Sequence, residues 1–323
     1  MLVSGIWADV DGARAAEELV VYSGRKEMVV KPVVEAFQKK TGIAVKLKIG
    51  KTSGLANELI QEKARPRADV FIATEAGVME ILAKNGVLDA YVSPEAKDLE
   101  PGFRDRDGKW TGISSRARVI IYNKNLVPEK DVPRSVFQLT DSTWKGKIAI
   151  AGTRERTTLS WVSSLVVVKG VDFTKDYVKK LYANGLKILP DNTDVWKGVG
   201  RGEFAIGLTN SPNYFLARKA DYPVGVVYPD QNDGEVGTLL NLNAIAVVKG
   251  AQHPDAAKRF IDFVLSAAGQ RILIEGAYEI PLKPDIIDPV PLTGFRRTSV
   301  TEEQLAELAE PTLKLLAEVG LEW

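Results

Sequence analysis

Residues Leu19 to Ile49 read LVVYSGRKEMVVKPVVEAFQKKTGIAVKLKI. The stretch opens with a short apolar run, Leu19 to Tyr22, of strand length. Val29, Val30, Val33, Val34 and Phe37 then recur at helical spacing, which gives a helix one apolar stripe, and Gly42 ends it. Val45 to Ile49 reads as a second strand. Strand, helix, strand in this order makes a parallel pair with the helix packed over one face. The pattern continues with a helix over Ser53 to Lys63, a third strand over Asp69 to Ala73, and a helix over Ala76 to Lys84 closed by Asn85 and Gly86.

Beyond Trp110 the alternation restarts. Strands are expected at Val119 to Tyr122, Lys147 to Ile150 and Phe204 to Leu208, with helices near Leu159 to Val168, Asp172 to Ala183 and Asn213 to Lys219. Leu239 to Val248 is a further strand, followed by helices over Pro254 to Leu265 and Thr301 to Val319, and the chain is expected to return to the first lobe in this region. Pro281 to Pro291 reads as a connecting loop. The fold class is α/β with two lobes, each a mostly parallel sheet flanked by helices, and a cleft between them. A length of 323 residues suits two cores better than one.

Composition removes several function classes. Lys and Arg number 43 against 42 Asp and Glu, so no basic field exists to hold nucleic acid. No apolar run approaches the roughly 18 to 20 residues that span a bilayer. The chain has no cysteine, which excludes disulfides, thiolate nucleophiles, Cys-type zinc sites and a lipid-modified cysteine. Residues 1–18 are expected to be an N-terminal extension, a trimmed export signal in which Ala13, Ala15 and Ala16 resemble a signal-peptidase site.

Motifs of catalysis are incomplete. Gly50-Lys51-Thr52-Ser53 looks like the end of a phosphate-binding loop, but Val45 stands where its first glycine belongs, and a helix N-cap at Thr52 or Ser53 is the better reading. Gly198 to Glu203 lacks the last glycine of a dinucleotide fingerprint and precedes a strand, so it is read as a helix terminus and turn. His253 stands alone before Pro254, with no nucleophile or acid placed by sequence to complete a triad, and is expected to be a solvated residue at a helix start. No metal-ligand spacing is present. The reading is a binding protein, not an enzyme, with no cofactor.

What the chain does offer is polar residues at successive βα junctions, where helix N-termini leave backbone N–H groups unpaired and ligands bind open α/β sheets. Ser23-Gly24-Arg25-Lys26 follows the first strand, Lys51-Thr52-Ser53-Gly54 the second, and Thr74-Glu75 the third. Gly152-Thr153-Arg154-Glu155-Arg156-Thr157-Thr158 and Thr209-Asn210-Ser211 occupy the same places in the second unit. Hydroxyls, an amide and guanidinium groups beside helix starts describe an anion site.

The segments VVYSGRKE, ARPRADVFIATEAG, SSRARVIIYN, TWKGKIAI, GEFAIGLTN and HPDAAKRFIDFVLSAAGQ resemble, in this order, the bacterial periplasmic substrate-binding proteins of the ferric-ion type. The resemblance implies a type II two-lobed fold in which lobe one is discontinuous (residues 19–114 plus 240–282) and lobe two takes residues 115–239 plus 283–323. It implies a ligand trapped by lobe closure, a periplasmic or extracytoplasmic location, delivery to an ABC permease and its ATPase, and a monomer. Ferric members carry adjacent tyrosines after the strand matching Phe204 to Leu208. Here Pro212 and Asn213 stand in that place and Tyr214 is displaced by one position; the acidic ligand after ADVF is lost at Thr74 or shifted to Glu75.

The ligand expected is therefore a small anion, such as a phosphate ester, phosphonate, carboxylate or oxyanion. Arg25, Thr52, Ser53, Thr153, Arg154, Thr157, Asn210 and Ser211 would hold it, with Arg116 near the crossing strands and Trp161, Trp196 or Tyr214 as an apolar wall. The first alternative is ferric ion bound by Tyr214, Glu75 and a synergistic anion. A second is an enzyme acting on a phosphorylated substrate.

Overall fold

The computed structural model describes residues 18–153, 155–283, 286 and 294–320. Residues 1–17, most of the expected signal remnant, and Arg154 lie outside the described residues.

The elements run, in chain order, β1 (Glu18–Ser23), α1 (Glu27–Thr41), β2 (Ala44–Ile49), α2 (Thr52–Gln61), β3 (Val70–Ala73), α3 (Ala76–Lys84), β4 (Thr111–Asn123), β5 (Ile148–Ala151) and α4 (Arg156–Lys169). They continue with α5 (Val171–Ala183), β6 (Lys187–Leu189), α6 (Asn192–Gly200), β7 (Ile206–Asn210), α7 (Ser211–Lys219), β8 (Val224–Val227) and β9 (Leu240–Val247). The last three are α8 (Pro254–Leu265), α9 (Ala267–Glu275) and α10 (Glu302–Glu318). The opening unit forms as its pattern requires. Val30, Val33, Val34 and Phe37 of α1 are buried, and Gly42 at φ 73° takes the left-handed cap, its N–H reaching the Gln38 carbonyl at 2.8 Å.

One sheet of nine strands runs through the molecule in the order β2-β1-β3-β9-β4-β7-β5-β6, with β8 also on β4. The parallel pairings lie within each half: β1 with β2 and β3, and β5 with β6 and β7. Among the described strands, every antiparallel pairing involves β4 or β9. β4 is the strand that crosses, since Thr111 to Ala117 pair with β9 while Arg118 to Asn123 pair with β7 and β8.

Two apolar cores flank this crossing. One draws on residues from Leu19 to Val119 and from Leu240 to Leu282, with Phe37 edge-on to Phe260 at 5.1 Å. The other draws on Ile120 to Leu239 and on Leu305, Leu315 and Leu316 of α10, with Trp161 edge-on to Tyr177 at 6.3 Å. Apolar area buried on this scale is the main favourable term in folding each half. Helix α10 straddles both halves. The Ser163 hydroxyl of α4 donates to Thr312 at 2.9 Å, and Lys84 of α3 pairs with Glu307 at 2.8 Å.

Several elements differ from their sequence signals. β4 begins at Thr111, not Val119, because its first residues are small and polar yet buried, and their side chains bond within the protein. β6, α6, β8 and α9 give no strong periodicity. In α6 glycines 198 and 200 weaken the helical signal, since glycine costs about 1 kcal/mol against alanine in a helix. They are there because a Cβ at Gly200 would lie 2.5 Å from the Tyr222 ring and one at Gly198 2.9 Å from Phe204. Thr52 and Ser53 do not cap α2: Lys51 holds the N-cap position with no side-chain bond, and Thr52 is the first helical residue. His253 is not freely solvated, for its backbone N–H and ring Nδ1 both engage Asp69, at 2.8 and 3.0 Å.

Candidate functional site

Because β5, β6 and β7 are parallel, the helices that follow them begin at one edge of the sheet. Thr157 near the start of α4, Asn192 at the start of α6 and Asn210 at the N-cap of α7 meet there. The Asn192 and Asn210 amide nitrogens each donate to the Thr157 hydroxyl at 3.4 Å. The Thr209 hydroxyl donates to Asn192 Oδ1 at 3.1 Å, and Asn213 Nδ2 donates to that hydroxyl at 2.8 Å. Three helix N-termini pointed at one place supply unpaired N–H groups and a positive potential.

Arg118 forms the floor of this group. It is 1% exposed, and its Nη1 donates to Asn192 Oδ1 at 3.1 Å and to Asn210 Oδ1 at 3.3 Å, while Nη2 donates to the Thr158 hydroxyl at 3.0 Å. Its Nε is buried with no hydrogen-bond partner, and among the described residues no carboxylate lies within 4 Å. Burial, helped by the like charge of Arg116, pulls its pKa down to about 9 against the more distant attraction of Glu155 and Glu75. A buried cation bonded only to neutral oxygens is costly in isolation and favours an anion nearby.

The facing wall belongs to the first half. The Thr52 and Thr74 hydroxyls lie 2.8 Å apart, and the Thr74 N–H donates to Thr52 Oγ1 at 3.2 Å. Arg116 Nη2 donates to the Thr74 carbonyl, while its Nε is buried without a partner. Glu75 precedes α3 and is 6% exposed; its Oε2 accepts from Arg156 Nε of α4 at 3.3 Å, an ion pair from one half to the other. Burial pushes the Glu75 carboxyl up to about 7, against the pull of Arg156 and Arg116.

The remaining expected residues separate. Arg25 is buried and committed within the protein: Nη2 pairs with Glu279 at 2.7 Å and Nη1 donates to Ser114 at 3.1 Å, with Asn243 Nδ2 donating to Glu279 at 3.0 Å. The Ser211 hydroxyl accepts the Ala117 N–H at 3.2 Å and so ties α7 to β4. Ser53 is exposed and Thr153 half-buried. Tyr214 is half-buried, its ring 5.1 Å from Phe215 and packed on the small cluster of Ile121, Trp196, Val199, Ala217 and Val224. Trp161 belongs to the second core and Trp196 to that small cluster, not to an exposed ligand wall.

Sequence reasoning passed over Arg118 and Asn192, and it named Thr158 at its junction without giving it a ligand contact. Arg118 had a readable signal, since it stands two residues from Arg116 and alternate strand residues share a face. Asn192 had a weaker one, the Asp191-Asn192 cap sequence: Asp191 accepts the N–H groups of Thr193 and Asp194 at 2.6 and 2.9 Å and so starts the helix that carries it.

Among the described residues there is no group of three or more His, Cys, Asp or Glu side chains that could hold a metal ion. The chain is similar to "Iron uptake protein A1" of Synechocystis sp. strain PCC 6803, with 29% identity over 97% of this chain and 89% of that protein. It is 28% identical to the "Major ferric iron-binding protein" of Neisseria meningitidis, over 95% of this chain and 94% of the relative. Among solved structures, iron-bound HitA from Pseudomonas aeruginosa superposes with a TM-score of 0.87 at 30% identity, covering 94% of this chain and 100% of that one. Residues 33–294 match the family described as bacterial extracellular solute-binding protein. The two-lobed fold and these matches agree on a receptor that acts outside the cytoplasm and binds a solute without transforming it. The chain belongs to the bacterial extracellular solute-binding protein family.

Proposed function

We propose that the protein captures a small anionic solute between its lobes and delivers it, as a monomer, to an ABC permease and its ATPase. The observation that carries this reading is Arg118, a fully buried cation with neutral partners only, set beneath the starts of α4, α6 and α7. Thr157, Asn192 and Asn210 would supply the polar contacts that orient the anion, with Thr52, Thr74 and Arg116 on the opposite wall. Residues 19–114 plus 240–282 and residues 115–239 plus 283–323 are proposed as the bodies that close, with β4 and β9 bending between them. Ligand contacts made only in the closed form would drive that closure.

Ferric ion is the second reading, and the printed names of the relatives favour it. It needs Tyr214, Glu75 and a synergistic anion to replace an adjacent tyrosine pair, because hard phenolate and carboxylate oxygens suit a trivalent cation. Against it stand Glu75 held by Arg156 and Tyr214 packed on an apolar cluster. Native mass spectrometry with elemental analysis of the purified protein decides between the two. A stoichiometric anion without iron supports the first reading. One iron per chain, with a phenolate charge-transfer band, replaces it with the second.

A further inference from the structure

Arg156 opens α4, and the next residue, Thr157, belongs to the group of donors gathered over Arg118. Its guanidinium is already engaged. Glu75 extends from the other half of the molecule to accept from Arg156 Nε at 3.3 Å, and it does so instead of capping its own helix, for it sits at the N-cap of α3 with no side-chain cap bond. A second carboxylate, Glu155, accepts from Asn192 Nδ2 at 3.0 Å. Two of the protein's own carboxylates thus occupy donors that an anionic ligand would use.

The surroundings of Glu75 show that this placement is not a casual surface contact. Arg156 and Arg116 attract its charge, Glu155 repels it, and Glu302 at the start of α10 lies close enough for Glu75 to raise the Glu302 pKa. Burial adds to the repulsion, so the carboxylate is held at this point by Arg156 and Arg116 against an otherwise unfavourable site. A carboxylate bound to a guanidinium presents the same paired oxygens that a ligand carboxylate, phosphate or sulfate would present.

The geometry points to Glu75 as the residue that sets ligand affinity: an internal carboxylate that competes with the anionic solute for Arg156 and must release it on binding. This rests on the anion reading. It makes the receptor selective, because a solute gains from Arg156 only the excess of its own interaction over that of Glu75, so weakly charged anions are rejected.

The test measures binding of sulfate, inorganic phosphate and citrate by calorimetry to the full chain, to Glu75→Gln, to Arg156→Gln and to the double variant. Glu75→Gln is expected to bind at least one of these anions roughly tenfold tighter than the parent, the scale of one charge-assisted hydrogen bond. The gain should vanish in the Arg156→Gln background, which separates competition at Arg156 from a general change of field. Unchanged or weaker binding by Glu75→Gln, or a gain that survives loss of Arg156, overturns the competition while leaving the anion reading in place. If neither parent nor variant binds any of the three, the anion reading falls and the competition falls with it. Should Glu75→Gln fold poorly by circular dichroism, Glu75→Ala serves in the same comparison.

Discussion

Replacing Arg118 by Met keeps most of the side-chain volume and removes the charge, so it separates the cost of the buried cation from its use. Burial pulls the Arg118 pKa down to about 9 against the attraction of Glu155 and Glu75, a net cost on the order of 5 kcal/mol by the standard conversion. Three charge-assisted bonds to Asn192, Asn210 and Thr158 offset it, each contributing about 1.5 to 3 kcal/mol. The bonds equal or exceed that cost, so the ligand-free variant should be destabilised by no more than about 4 kcal/mol. Ligand binding should suffer far more, losing about 10-fold to 100-fold in affinity with the charged contact. At a ligand concentration of about 100 times the parent Kd, stabilisation by ligand is about 2.7 kcal/mol in the parent and should drop to about 0.4 to 1.4 kcal/mol. Thermal or urea unfolding with and without the anion identified by mass spectrometry reads both quantities. A variant with parental anion affinity refutes the assignment of Arg118 to the site, and one that cannot fold at all refutes that bound on its stability.

Two further changes test how the scaffold holds the site. Glu279→Gln should destabilise by about 3 to 5 kcal/mol, because it leaves the Arg25 guanidinium buried without its charge partner; urea denaturation measures this, and a change below about 1 kcal/mol would show that Ser114 suffices as partner. Glu302 has its pKa raised to about 8, first by burial and then by Glu75 and Glu80, with the N–H groups of Gly77 and Leu242 opposing. An acid whose pKa is raised on folding stabilises most below its unfolded value of 4.5 and loses that contribution as pH climbs through about 8. Glu302→Gln should therefore flatten the decline in Tm between pH 5 and 9, the remaining slope coming from Glu75, which shifts in the same sense; superimposable Tm profiles for variant and parent would contradict this.

Local chemistry made the α/β class readable. Val29 to Phe37 repeat at the helical period and Gly42 needs a left-handed cap, features that depend on neighbours a few residues away. The same locality made the polar helix starts at Thr157 and Asn210 visible, and hid α6, whose glycines make sense only beside Tyr222 and Phe204.

The sequence by itself determined that this chain alternates strands and helices, carries no thiol or triad chemistry, and collects donors at helix starts. Only the tertiary structure decided which arginine is paired with a carboxylate and which is not. Arg25 looked equivalent to the others until packing placed it on Glu279, 254 residues away. Glu75 met Arg156, 81 residues away, and Arg118 was left buried among amides and hydroxyls. Charge pairing and desolvation depend on distances in space and on exclusion of water, and neither is encoded in any local window of the chain.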